Sequence, residues 1–135
     1  MTSFPKVTIG LDLGDRRSTY CILTAAGRVA ARGQVPTDRG GFIEWLRPYR
    51  RARVILEVGS HSPWVSRLIS ELGHTAVVAN ARKVKAISAG TRKSDAVDAE
   101  TLARLGRLDP ALLAPITHRG LTAQVDLAQL RARDA

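Results

Sequence analysis

The sequence predicts one α/β domain, a mixed five-stranded sheet flanked by helices. Three observations predict it. Three strand-like segments near the N-terminus are joined by links too short for anything but antiparallel hairpins. Two later strand-like segments are each reached through an amphipathic helical stretch, the pattern of parallel strands joined by right-handed crossovers. Finally, 135 residues with 44% hydrophobic and 24% charged side chains suffice for one core and leave no room for two large ones.

Residues 7–13 alternate with period two: Val7, Ile9, Leu11 and Leu13 lie on one face, and Thr8, Gly10 and Asp12 on the other. That is a strand. Residues 14–17 read as a turn, 18–24 as a second strand, 25–28 as a tight turn and 29–35 as a third strand. Thr37 or Asp38 can cap a helix whose Phe42, Trp45, Leu46 and Tyr49 recur at helical spacing. Residues 53–58 are the fourth strand. The next helix is punctuated at both ends, with Ser62 as N-cap, Pro63 at the first helical position, a Trp64, Val65, Leu68, Ile69, Leu72 stripe, and Gly73 just past its end. Residues 74–79 follow as the fifth strand.

Asn80 can cap a basic helix to about Ser88, Gly90 breaks it, and Ser94 can cap another helix from Asp95 to about Leu108. Residues 109–120, with Pro110 and Pro115, read as a linker. Residues 121–135 are helical in composition and carry no stop signal, so the expectation is a chain that ends inside a helix and belongs to a longer protein. The expected organisation is a domain over 1–108, a linker over 109–120 and the start of a helical connector over 121–135. Strands one, four and five should run parallel. This order fits the ribonuclease H-like fold and also the actin and sugar-kinase fold.

Charge narrows the partners. The chain has 21 Lys plus Arg against 12 Asp plus Glu, a net +9, and most of the cations are arginine, whose planar fork donates to two phosphate oxygens at once. They cluster at Arg47, Arg50, Arg51 and Arg53, then at Arg82, Lys83, Lys85, Arg92 and Lys93. A polyanion partner is expected, with the second cluster as its contact surface. No segment reaches the roughly 18 apolar residues of a membrane span, and the N-terminus lacks a basic and apolar leader, so a soluble, cytoplasmic protein is expected. Cys21 is the single cysteine and sits in an apolar run, which excludes an internal disulfide or a cysteine-rich zinc site.

Twelve acids are few, so their placement matters. Asp12 lies within the first strand on the face that carries only Thr8 and Gly10. Glu57 ends the fourth strand on the face of Ile55. If these strands are neighbours, the two carboxylates meet on one side of the sheet, where they repel unless a cation neutralises them. Asp95 and Asp98 are three apart and share a helix face with Leu102 and Leu105, which aims Asp98 at the sheet. Four acids converging on a partly buried point suit Mg²⁺ or Mn²⁺, hard ions that take oxygen ligands. Two such ions roughly 4 Å apart can clamp the attacking and leaving oxygens of a phosphoryl displacement. His61 and His74 lack metal-ligand spacing and read as structural; Trp45 and Trp64 lie on helix stripes and read as core.

At this point the residues resemble a known family. Ile9-Gly-Leu-Asp-Leu-Gly14, Leu56-Glu-Val-Gly-Ser-His-Ser-Pro-Trp64, Val78-Ala-Asn-Ala-Arg-Lys83 and Arg92-Lys-Ser-Asp-Ala-Val-Asp-Ala-Glu-Thr-Leu-Ala-Arg-Leu105 are similar to the N-terminal, RuvC-like domain of DEDD transposases, insertion-sequence recombinases that work with a bridge RNA. The likeness runs through essentially the whole chain, in order. It implies that Asp12, Glu57, Asp95 and Asp98 are the acidic tetrad and that Mg²⁺ is the ion. It also implies DNA and RNA as partners, homo-oligomeric full-length members, and a second domain bearing a nucleophilic serine that no serine of this chain replaces. Two other readings compete. Gly10-Leu-Asp-Leu-Gly14 followed by Ser18 resembles the phosphate hairpin of actin-like ATPases. A catalytically silent module for nucleic-acid binding or oligomerisation is the other.

Overall fold

The computed structural model describes residues 7–80, 82 and 98–118. Strands β1 (Val7–Asp12), β2 (Arg17–Thr24) and β3 (Val29–Pro36) are followed by α1 (Arg39–Leu46), β4 (Ala52–Glu57), α2 (Ser62–Glu71), β5 (Thr75–Ala79) and α3 (Ala99–Leu108). The sheet order is β3-β2-β1-β4-β5. β1, β2 and β3 form an antiparallel meander, while β4 runs parallel to both β1 and β5. The short links and the helical crossovers account for these directions.

Both faces of the sheet are covered, which is why β1 and β4 are apolar almost throughout. On one face Ile9, Leu11, Val54, Leu56 and Val78 pack against Phe42 and Leu46 of α1 and Val65, Leu68 and Ile69 of α2. Trp45 and Trp64 join this core as expected, with ring centroids 4.7 Å from Tyr20 and 5.8 Å from Phe42 respectively. On the other face Ile55, Val77 and Ala79 meet Leu102 of α3, and Cys21 and Leu23 meet Ala99 and Ala103. Cys21 is thus a core residue, its thiol pKa raised chiefly by burial.

The helix ends follow from local chemistry, with one displacement. Asp38 caps α1 by accepting from the Gly41 N–H at 2.6 Å. At α2 the cap position is His61 rather than Ser62. The Ser62 hydroxyl instead closes the β4–α2 turn, donating to the Gly59 carbonyl at 2.8 Å and accepting from the Gly59 N–H at 3.0 Å. Gly73, at φ +92°, supplies the left-handed residue that ends the helix.

Two expectations about the last third of the chain are corrected. The described helix α3 starts at Ala99, and its buried face is Ala99, Leu102, Ala103 and Gly106 rather than a stripe through Asp98, Leu102 and Leu105. Small residues face inward because the helix lies directly on the sheet backbone. The packed unit also runs past residue 108. Asp109 caps a 3-10 turn, Pro110–Leu113, by accepting from the Ala111 N–H at 3.0 Å. Leu113 is fully buried, and Ile116 bridges Val78 as an antiparallel partner. Pro110 starts a helical turn here instead of opening a linker.

His74 is a structural histidine. It is buried, and its Nδ1 accepts the Ala52 N–H at 2.9 Å, so that nitrogen carries no proton. Burial lowers its pKa below the ordinary 6.5. Below that value the unfolded chain binds a proton that the native state refuses, so stability falls as pH drops from the unfolded pKa to the lower folded one. Thermal midpoints measured from about pH 7.5 to 5 should decline more steeply for the parent than for His74→Gln, whose amide oxygen can still accept from Ala52. Parallel curves would remove His74 as the source.

Candidate functional site

Asp12 is the last residue of β1 and Glu57 the last of β4, and the parallel register that pairs Leu11 with Leu56 sets the two acids side by side. Alternation along each strand then fixes their direction. On β4, Arg53 reaches α3, donating from Nη1 to the Gly106 carbonyl at 3.0 Å, and Ile55 packs under Leu102. Glu57 therefore shares the α3 face. On β1, Gly10 lies beneath α3, and Asp12 two residues on shares its side. The strand register thus puts both acids at the C-terminal ends of adjacent strands and on the α3 side of the sheet, where open α/β sheets place their ligands.

Gly10 brings the third acid near. A Cβ at this position would lie 1.8 Å from the Ala99 carbonyl oxygen and 2.7 Å from the Ala103 nitrogen. Only hydrogen fits between β1 and α3. The first turn of α3 thus rests on the strand just before Asp12, and its N-cap, Asp98, stands at the same end of the sheet. Asp98 has extended backbone at φ −83° and ψ 172°, and its carboxylate accepts from the Thr101 N–H at 2.8 Å. It is exposed rather than inward-facing, because it precedes the helix instead of riding on it. Arg32 and Arg104 both bind Glu100 at 2.7 Å, and Arg104 also donates to the Gly27 carbonyl at 3.2 Å, tying α3 to the β2–β3 hairpin.

The electrostatics agree with this convergence. Asp12 has its carboxyl pKa raised above the ordinary 3.8, first by partial burial and second by the negative charge of Asp98. An oxygen-only set with a carboxyl disfavoured in its ionised form is what a hard divalent cation would relieve. Among the described residues, however, no three Asp, Glu, His or Cys side chains form a ready-made metal cluster. Asp12 and Glu57 are neighbours, and Asp98 is coupled to Asp12 through its charge. Asp95 lies outside the described residues, as do Lys83, Lys85, Arg92 and Lys93. Arg82 is helical and exposed.

A cavity of about 190 Å³ opens beside the acids, lined by Asp12, Asp15, Glu57, Gly59, Ser60 and His61 among others. Asp15 is an addition to the residues singled out from sequence, and His61, read there as structural, lines the same cavity. His61 Nε2 lies 3.1 Å from Asp15 Oδ1, and its Nδ1 accepts from Trp64 Nε1–H at 3.1 Å. The available signal was position: both residues follow closely on the ends of β1 and β4. The Ser18 hydroxyl, by contrast, is fully buried, 2.6 Å from Thr37 Oγ1, and accepts from the Gly14 N–H at 3.3 Å. It is a structural staple, closed to a nucleotide phosphate. The first arginine cluster also has internal uses: Arg53 holds α3, and Arg47 pairs with Glu44 at 3.5 Å.

Comparison with known proteins bears on family and fold. A family model described as a transposase, of the DEDD type found in IS110 elements, matches residues 9–135. Among solved structures, Thermus thermophilus RuvC is similar in fold, with a TM-score of 0.54 at 16% identity, covering 76% of this chain and 96% of that one. No curated protein matches the chain. The mixed five-stranded sheet with its flanking helices is the RNase H-like fold. Among the described residues no helix is long and apolar enough to cross a membrane.

Proposed function

The chain belongs to the IS110-type DEDD transposase family, and from that premise we propose that it is the domain that cuts and joins DNA strands during transposition with the help of divalent metal. The observation that carries the reading is the adjacency of Asp12 and Glu57 on neighbouring parallel strands, with Asp98 near enough to raise the Asp12 pKa. In this reading Asp12, Glu57 and Asp98 would hold the metal, with Asp12 as the shared ligand, and Asp95 would assist or orient. Mg²⁺ or Mn²⁺, when bound, supplies a Lewis acid and an activated oxygen nucleophile for phosphodiester chemistry. The protein's part is to fix the carboxylates on rigid strands and to keep the Gly10 contact that sets α3 above them.

Arg82, Lys83, Lys85, Arg92 and Lys93 are proposed to hold nucleic-acid backbone. A guide, or bridge, RNA and homo-oligomer formation belong to the same proposal. The test is a titration of Mn²⁺ followed by thermal unfolding. A ligand that binds only the native state stabilises it, by about 2.7 kcal/mol at a hundredfold excess over Kd. A rise of several degrees in the parent, absent in Asp12→Asn, is expected, with no response to ATP. A response to ATP would favour the actin-like reading, and indifference to both ligands would favour the silent module.

A further inference from the structure

We propose that His61 contacts the phosphodiester in this pocket, its Nε2–H donating to a non-bridging phosphate oxygen. The inference rests on the transposase reading and deepens it by assigning a phosphate-binding residue outside the acidic tetrad. Cations on Asp12 and Glu57 would meet some of a phosphate's oxygens, but Asp15 and the other carboxylates offer only acceptors, so a phosphate oxygen on this side of the pocket needs a hydrogen-bond donor. His61 is the single nitrogen-bearing side chain among the described residues that line the cavity.

Its proton is placed by its neighbours. Trp64 Nε1–H donates to Nδ1 at 3.1 Å, so Nδ1 is an acceptor and the proton of the neutral ring sits on Nε2. That Nε2–H lies 3.1 Å from the Asp15 carboxylate, an anionic oxygen of the kind a phosphate also presents. The ring is buttressed edge-on by Trp64 at 6.1 Å and 84°, and Trp64 is itself packed on the core. Although His61 occupies the N-cap position of α2, it makes no side-chain cap bond, so its imidazole is not spent on the helix. Asp15 is 92% exposed, and a hydrogen bond to so exposed a partner is weak enough to be exchanged for a phosphate oxygen.

The experiment uses the chain with a short DNA duplex in Ca²⁺, read by binding and by imidazole nitrogen NMR. The expected spectrum shows His61 as the Nε2–H tautomer, with the bias weakened in Trp64→Phe. The duplex should shift the His61 Nε2 resonance and leave that of buried His74 in place. His61→Leu should weaken binding about tenfold, His61→Gln should restore much of it through its amide N–H, and Asp15→Ala should tighten it by removing the competing acceptor. A protonated Nδ1, an unmoved His61 signal on binding, or His61→Leu binding like the parent would overturn the proposal while leaving the metal-dependent reading intact. Failure of the duplex to bind at all would overturn both.

Discussion

Gly10→Ala is expected to destabilise the chain by about 3 kcal/mol, at the upper end of what overpacking costs. The added methyl would lie 1.8 Å from the Ala99 carbonyl oxygen and 2.7 Å from the Ala103 nitrogen. Both are backbone atoms, so no rotamer change can clear them. The helix must lift as a body, which separates Ala99 and Ala103 from Cys21 and Leu23 and strains the Arg53 bond to the Gly106 carbonyl. Asp98 recedes with it, and the Asp12 carboxyl should titrate closer to its ordinary value. Gly59→Ala is the control: it lies on the pocket rim, yet the nearest atom to its new Cβ is the Glu57 carbonyl oxygen at 4.0 Å. It should change stability by no more than about 0.5 kcal/mol. Urea midpoints for the two variants test the claim, and a Gly10→Ala midpoint equal to the parent's would refute the close contact.

The same contact explains which parts of the fold were legible. Strand directions followed from link lengths, and Asp12 stood out because a carboxylate on a strand face with only threonine and glycine has no packing role. The inward face of α3 was not legible. Its leucines dominate a hydrophobic pattern, but a helix lying on Gly10 turns its smallest residues, Ala99, Ala103 and Gly106, to the sheet and leaves Leu105 half-buried. Ser94 was the cap read from the sequence, with Asp98 riding on the helix; the described backbone shows Asp98 in the capping role of α3 instead. The Asp15–His61 bond joins residues 46 apart in the chain, and it becomes visible only once β1 and β4 are known to be adjacent. Prolines at 110 and 115 suggested a linker because Pro breaks helices, although Pro110 at the start of a 3-10 turn interrupts nothing.

Asp12→Asn should push stability and activity in opposite directions. The native state binds a proton at Asp12 more tightly than the unfolded chain does, because burial and Asp98 raise its pKa above 3.8. Stability therefore declines as pH rises through the interval from 3.8 to the folded value, and at neutral pH the ionised carboxylate is a net cost. Asparagine keeps the shape and cannot ionise. Its melting temperature at neutral pH should exceed the parent's by about 2–4 °C, as befits a side chain still reached by solvent, and the advantage should vanish in acid. DNA strand cleavage by a transposition-competent preparation should fall by at least about 10³-fold, since a lost metal ligand removes several kcal/mol of charge stabilisation. A structural aspartate would lose stability on substitution and spare the chemistry. A variant that melts lower than the parent yet still cuts DNA would take Asp12 out of the mechanism.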